Sequence, residues 1–490
     1  MMRTPRALLI ATACLLAILL TYGSAYACTT IIVGKDASAG GCVLVAHNED
    51  DGPPQVVLAS KIAARTHEQG ARILLSGGAT LEQVPETAGF LWLDLPGQPF
   101  SQCGLNEWGV CITSDRCPSR EDREDLTDGG IGPMLRRVII ERARTARDGA
   151  RLAGELIERL GYQASGRTYF ICDPEEAWLL CVVQGRHWLA WRVPDDEVCV
   201  VANSYVVRDV DLTNQDQVMA SEDIVDYATL RGWYDPERDG KFDFARAYAD
   251  PDRASNSANF GRQWSALRRF AQGPLKFGMD LPASVKPIKA KRKVTVADLM
   301  AALRDHYEES DHYHPDPETG DPHVGDPRTV CCPTTQAAFV AQLRRGEPND
   351  VQLVWWVCLS LPCTSCFVPF HYGIPDFPAG WQSGGPDQPS EETWQSWTDA
   401  PFEANAENAF ATAINCQARV REDYSGRIGA LRERFAAIEA DALERQSSFE
   451  KKVLKVWASD QEAAALMLLE FSKGIYDASL EAMADVLAAD

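Results

Sequence analysis

The sequence is short of positive charge. Its 48 lysines and arginines stand against 70 acidic residues, a formal net charge of −22. Nucleic acids and anionic membrane surfaces are polyanions, so this balance argues against either as a partner. The chain also opens without a full membrane span, because the apolar run from Ala7 to Leu20 is shorter than the ~20 residues a crossing helix needs. No standard zinc-ligand spacing occurs. His306, His312, His314 and His323, with Asp311, Asp316 and Asp321, lie in a proline-rich stretch that reads as an exposed loop, and no metal is expected from them. Cys363-Thr364-Ser365-Cys366 lacks a thioredoxin-type βαβ pattern around it, so a disulfide or buried thiols fit better than redox chemistry. The adjacent Cys331-Cys332 suggests nothing beyond chance or a strained local bond. Neither Asn106-Glu107-Trp108 nor Asn203-Ser204-Tyr205 is a glycosylation acceptor.

What is present at the start is an export signal. Arg3 and Arg6 precede the apolar run, and Ala25-Tyr26-Ala27 forms a small-residue cleavage site. Residues 1–27 therefore read as a signal peptide, and the mature protein as secreted, periplasmic or extracellular. They carry two arginines and no acid, so their removal makes the chain more acidic still. Of 15 cysteines, Cys14 leaves with the signal. Export permits disulfides, yet Cys111, Cys172, Cys181 and Cys199 sit in apolar strand-like runs where a thiol serves as a small hydrophobe.

Cleavage after Ala27 leaves Cys28 at the new N-terminus, where three readings compete. It can pair in a disulfide, carry a lipid anchor, or act as an N-terminal nucleophile. Ala25 weakens the lipid reading, which prefers an aliphatic residue there. For the third, an α-amine with a pKa of about 7.7–8.0 beside a thiol of about 8.5 can take the thiol proton near neutral pH. Nucleophile and general base then share one residue.

With 45% hydrophobic residues and 13 tryptophans, the chain can bury a large core and hold one big domain plus an appendage. Thr29–Val33 and Cys42–Ala46 flank a Gly/Asp/Ser turn and predict a hairpin with Cys28 at its tip. Thr168–Cys172, Ala177–Val183, His187–Val193 and Glu197–Ala202, separated by turn dipeptides, predict an antiparallel meander. Met134–Leu160 has helical spacing. Strands with helices between them suit a layered α+β domain. Ile374–Ser396 reads as a long loop. Beyond it, Ile428, Leu431, Phe435, Ile438 and Ala442 predict an amphipathic helix, and Ser459-Asp460 can cap another. These helices pack on the main domain or on a second copy, as a candidate homo-oligomer face.

Four features lie downstream of Cys28: His47-Asn48-Glu49-Asp50, Gly104-Leu105-Asn106-Glu107-Trp108-Gly109-Val110, Val201-Ala202-Asn203, and Phe260-Gly261-Arg262-Gln263-Trp264. With Cys28-Thr29-Thr30, Val33-Gly34-Lys35-Asp36-Ala37-Ser38, Leu303-Arg304-Asp305-His306-Tyr307-Glu308, and Val354-Trp355-Trp356 through Pro369, they resemble the C69 family of dipeptidases. That family is related to secernins and, more distantly, to choloylglycine hydrolases and penicillin V acylases. The resemblance spans roughly residues 28–375. It implies a four-layer αββα N-terminal nucleophile fold over residues 28–400, with residues 401–490 as a helical C-terminal extension. It also implies metal-free, cofactor-free hydrolysis of short peptides, with Cys28 as nucleophile and Asp50 holding its amine. Asn203, then Asn106, are the implied oxyanion donors, and Arg262 would stabilise the thiolate or orient a carboxylate. Relatives often carry arginine where this chain has His47, which titrates near pH 6.5 and supplies charge or only a hydrogen bond. Two alternatives stay open: an amidase acting on non-peptide acyl amides, and a non-enzymatic lipid-anchored surface protein.

Overall fold

Thr29–Val33 (β1) and Val43–Asp50 (β2) form the expected hairpin, with Thr30 opposite His47 and Val33 opposite Leu44. In this computed structural model, residues 28–50, 56–95, 103–277, 286–382 and 408–488 are described. The signal peptide reading and most of the loop expected after Ile374 lie outside them. At the hairpin's turn a Cβ on Gly34 would meet Asp195 O at 2.3 Å, so no larger residue fits.

The later strands are β3 (Leu58–Ile62), β4 (Phe90–Asp94), β5 (Cys103–Asn106), β6 (Cys111–Arg116), β7 (Tyr162–Cys172), β8 (Ala177–Gly185), β9 (Trp188–Arg192), β10 (Glu197–Val201), β11 (Val218–Ala220), β12 (Ile288–Lys289), β13 (Thr335–Leu343), β14 (Leu353–Leu359) and β15 (Val368–His371). They form two large antiparallel sheets, and two small ribbons, Arg65–Thr66 with Glu86–Thr87 and Arg72–Leu74 with Thr80–Glu82, lie between β3 and β4 in the chain. A seven-stranded sheet runs β12-β10-β1-β2-β13-β14-β15, and an eight-stranded sheet runs β11-β9-β8-β7-β6-β5-β4-β3.

Alternation along β8 shows how the layers stack, because successive side chains point to opposite faces. Leu179, Cys181 and Val183 enter the core between the sheets. Trp178, Leu180 and Val182 enter a second core under helices α1 (Leu135–Arg142) and α2 (Ala146–Leu160). On the far side, α3 (Ser257–Phe270) packs on β1 and β10, and α4 (Val296–Leu303) on β2 and β13. The result is the expected αββα sandwich. Among the described residues no helix is long and apolar enough to cross a membrane.

Two expectations need correction. The span Met134–Leu160 is two helices, because Ala143 is extended and Thr145 caps α2 by accepting a hydrogen bond from Asp148 N. The fourth meander segment, β10, leaves β9 and crosses to the other sheet, where Val201 pairs with Thr30. The crossover delivers Asn203 to the end of β1. In the tail, α5 (Ala409–Glu422) is followed by α6 (Tyr424–Trp457), which buries Leu431, Phe435 and Ala442 as the spacing predicted. Asp460 accepts from Ala463 N at 2.9 Å and opens α7 (Gln461–Ala488).

Candidate active site

Cys28 sits just before β1 and is 2% exposed. Its Sγ lies 3.4 Å from Glu49 Oε1 and 3.8 Å from the carbonyl of Asp50. Burial, reinforced by the negative charges of Glu49, Asp115 and Asp50, pushes the thiol well above its ordinary value. The thiol is therefore neutral, and attack requires a group that takes its proton.

The end of β2 supplies two neighbours on one face, His47 and Glu49, because strand side chains repeat every second residue. His47 Nδ1 is 2.8 Å from Thr30 Oγ1, and its Nε2 is 3.0 Å from Glu49 Oε2. Thr30 in turn donates to Asp115 of β6, in the opposite sheet, at 2.8 Å. A chain of polar groups thus runs Asp115–Thr30–His47–Glu49–Cys28 across the gap between the sheets. Burial pushes Glu49 up, but the hydrogen bond and charge of His47 outweigh it and hold the carboxyl below its usual range. Thr30 gives its one proton to Asp115 and so meets His47 Nδ1 as an acceptor. Burial lifts Asp115 to about 7, although His47, whose Nδ1 lies 3.6 Å from its Oδ1, and the Thr30 hydrogen bond pull it down.

Asp50 faces elsewhere. Its Oδ1 accepts from Thr335 at 2.5 Å. Its Oδ2 is buried and has no hydrogen-bond partner among the described residues. Burial raises Asp50 to about 6, although Arg328 and Arg262 pull it down.

Arg262 projects from α3 and is fully buried. It donates to Cys28 O at 2.7 Å, Thr29 Oγ1 at 3.1 Å, Asn203 Oδ1 at 2.8 Å, Asn259 Oδ1 at 2.9 Å and Ala258 O at 3.0 Å. A guanidinium only donates, so it forces Asn203 to present Oδ1 and turns the Asn203 NH2 toward Arg116 O, 2.8 Å away. That contact uses one N–H and leaves the other for a ligand. Asn203 holds a left-handed φ of +53°, a conformation asparagine tolerates better than most residues.

Asn106 belongs to a different structure. Its NH2 donates to Ile140 O and Ala143 O, and its Oδ1 accepts from Trp108 N and Val110 N. These contacts fix the β5–β6 turn against the C-terminal end of α1. The amide is fully committed to backbone groups and has no donor to spare for a substrate.

The sequence-selected Cys28, His47, Asp50, Asn203 and Arg262 therefore meet at one end of β1, and Asn106 stands apart. Sequence reasoning missed Glu49, Thr30, Asp115 and Asn259. Period-two reading from His47 and from Cys28 could have singled out Glu49 and Thr30. Among the histidines first set aside, His306 and His323 do come together, with Cys331 and Cys363, while His312 stacks on Phe277 at 3.7 Å.

The family model described as "Peptidase family C69" matches residues 27–81 and 124–423. A probable dipeptidase of Salmonella dublin is 29% identical over 75% of this chain and 86% of its own length. A dipeptidase of Bifidobacterium longum is 25% identical over 93% of this chain and 89% of its own. Among solved structures, a penicillin V acylase from Agrobacterium tumefaciens covers 70% of this chain and 86% of its own at 8% identity, with a TM-score of 0.30, too low to bear on the assignment. The family match extends over both segments that carry Cys28, the β2 acids, Asn203 and Arg262, and the chain belongs to peptidase family C69 as a cysteine peptidase.

Proposed function

We propose that this peptidase is exported, loses residues 1–27, and hydrolyses dipeptides through an acyl-enzyme on Cys28. The observation that carries this reading is the buried Asp50 carboxyl, whose Oδ2 accepts no hydrogen bond among the described residues and whose charge acts on the Cys28 thiol. A carboxylate so placed is costly unless a donor arrives, and the α-ammonium of a new N-terminal Cys28 is such a donor. The Cys28 amine takes the thiol proton, and the thiolate attacks the scissile carbonyl carbon. The free N–H of Asn203 receives the oxyanion. The ammonium returns its proton to the leaving amine, leaving a thioester. Water then attacks that thioester, giving a proton to the amine and freeing the thiol. Arg262 holds the Cys28 carbonyl and the Asn203 amide in place. His47, held through both ring nitrogens by Thr30 and Glu49, stands in for the arginine of relatives. The names of the relatives support dipeptides as substrates.

Intact mass of the purified mature protein should correspond to a chain starting at Cys28, and Cys28→Ala should abolish turnover. A mature chain beginning elsewhere, or a Cys28→Ala variant that still cleaves, would falsify the mechanism. A panel of dipeptides against bile-salt and penicillin amides tests the substrate class; turnover confined to the amides overturns the dipeptidase reading.

A further inference from the structure

The described residues hold a second buried cluster that the hydrolytic chemistry does not use. His306 follows α4, His323 lies in the short turn Pro322–Val324, Cys331 precedes β13, and Cys363 follows β14. One nitrogen or sulfur from each lies within 4.8 Å of all the others, and all four side chains are buried. His306 Nε2 faces His323 Nε2 at 3.2 Å. The sulfurs of Cys363 and Cys331 approach the same His323 nitrogen at 3.4 and 3.7 Å.

The other ring nitrogens settle what these atoms offer. His306 Nδ1 is 2.8 Å from Glu308 Oε1, and His323 Nδ1 contacts Asp321 Oδ1. Arg421, from the C-terminal helices, holds the second oxygen of Asp321 at 2.7 Å. Each Nδ1 donates to its carboxylate, which turns both Nε2 atoms toward one another and toward the two sulfurs. With both imidazoles neutral, one cation at the centre of these four atoms meets both Nε2 lone pairs and both sulfurs. Carboxylate–histidine pairs of this kind are the usual support of metal-bound imidazoles.

The distances fit one ion. In a tetrahedron with Zn–N of about 2.05 Å and Zn–S of about 2.3 Å, nitrogens lie about 3.3 Å apart and nitrogen–sulfur pairs about 3.6 Å. The observed 3.2, 3.4 and 3.7 Å around His323 match these edges, and the remaining pairs lie within 4.8 Å. Two imidazoles with two thiolates are a donor set that selects zinc over magnesium or calcium.

We propose that His306, His323, Cys331 and Cys363 bind one zinc ion at a structural site separate from Cys28. Both thiols release their protons to solvent on binding, and the two thiolates neutralise the dication. Four protein ligands leave no open position, so the ion is structural. It ties the irregular segment 304–332 to the β14–β15 connection. It also anchors the turn carrying Cys332 and Thr335, the latter the partner of Asp50. A surface cleft bordered by His306, Glu308, Cys363 and Tyr424 gives the ion a way in.

The test is elemental analysis of the untagged full chain, purified without chelator. About one zinc per chain is expected, retained in Cys28→Ala and Cys366→Ser, and reduced to background in a Cys331→Ser/Cys363→Ser double variant. Asp321→Asn, which keeps all four ligands, should weaken zinc affinity about 10–100-fold in a chelator competition. If the double variant does not fold, cobalt(II) exchanged into the parent chain gives the readout. Intense tetrahedral d–d bands with sulfur charge transfer are expected, and a weak octahedral spectrum overturns the proposal. Zinc below about a tenth per chain, zinc lost with Cys28, or a Cys331–Cys363 disulfide in peptide maps would each overturn it too.

Discussion

At the residue scale, a buried charge has to be matched on every side or it moves something. Arg262 is matched by five acceptors and so becomes a rigid frame for Cys28 and Asn203. Arg262→Lys keeps the charge but cannot span carbonyl and amide together. We expect kcat to fall about 100-fold, the scale of a lost transition-state donor, with KM within threefold of the parent (about 0.6 kcal/mol). Steady-state kinetics on the dipeptide that turns over best checks the split; an equal change in KM would place Arg262 in ground-state binding instead. Asp115 is matched on one oxygen only, and its other oxygen has no hydrogen-bond partner among the described residues. Its folded pKa of about 7 lies above the ordinary carboxylate value near 3.9. A raised folded value means the folded protein binds the extra proton. The stability this residue contributes is complete below pH 4 and drains away as pH rises toward 7. Asp115→Asn should therefore gain on the parent as pH rises from 4 to 7.5, by about 4 kcal/mol. Urea unfolding of both proteins at several pH values measures it, and a pH-independent difference would refute the assignment.

At the element scale, local patterns were legible and long-range ones were not. The β1–β2 hairpin, the glycine-flanked turn at Asn106 and the Asp460 cap each depend on residues a few positions apart, and each stands where the spacing put it. The crossing of β10 to the other sheet depends on Val201 pairing with Thr30, about 170 residues away, and no turn dipeptide encodes that choice. The same limit hid Asp115, which reaches Thr30 from the facing sheet. It also hid the histidine–cysteine cluster, whose members meet only once β13 and β14 pair. Asn106 shows the converse: its motif is real, but four backbone hydrogen bonds explain it completely. Asn106→Ala leaves buried backbone groups unpaired, at roughly 1–3 kcal/mol for an unmet group. We expect a total loss of about 3 kcal/mol in chemical denaturation, with kcat and KM of the folded fraction unchanged. A selective loss of kcat at full stability would return Asn106 to the catalytic set.

At the scale of the whole molecule, the C-terminal helices look detachable in sequence and are not detached in structure. Ala442, Val453, Ala464, Leu468 and Ile475 share one hydrophobic cluster with β1, β2, β13 and β14. Two carboxylates of α6 reach inward. Glu439 receives both ends of the Arg304 guanidinium and Phe367 N. Glu450 receives Arg344, His371 and Gln446. Removing one member of such a buried pair leaves its partner's charge uncompensated, at about 3–5 kcal/mol. Glu439→Ala should therefore cost about 3–5 kcal/mol, a large share of the ~5–15 kcal/mol by which domains are stable, although Glu439 lies on an element that contributes nothing to the Cys28 site. Truncation is the sharper case. A chain ending at residue 407 would uncover the apolar side chains of β14 and β15 on which α5 and α7 pack, and would leave Arg304 and Arg344 without their carboxylate partners. We expect it to lack a cooperative unfolding transition by circular dichroism and to hydrolyse nothing. If it instead unfolds cooperatively and keeps turnover, residues 28–407 form a domain by themselves and the helices are an attachment. Joint loss of both signals means that the helices complete the sandwich as its outer layer.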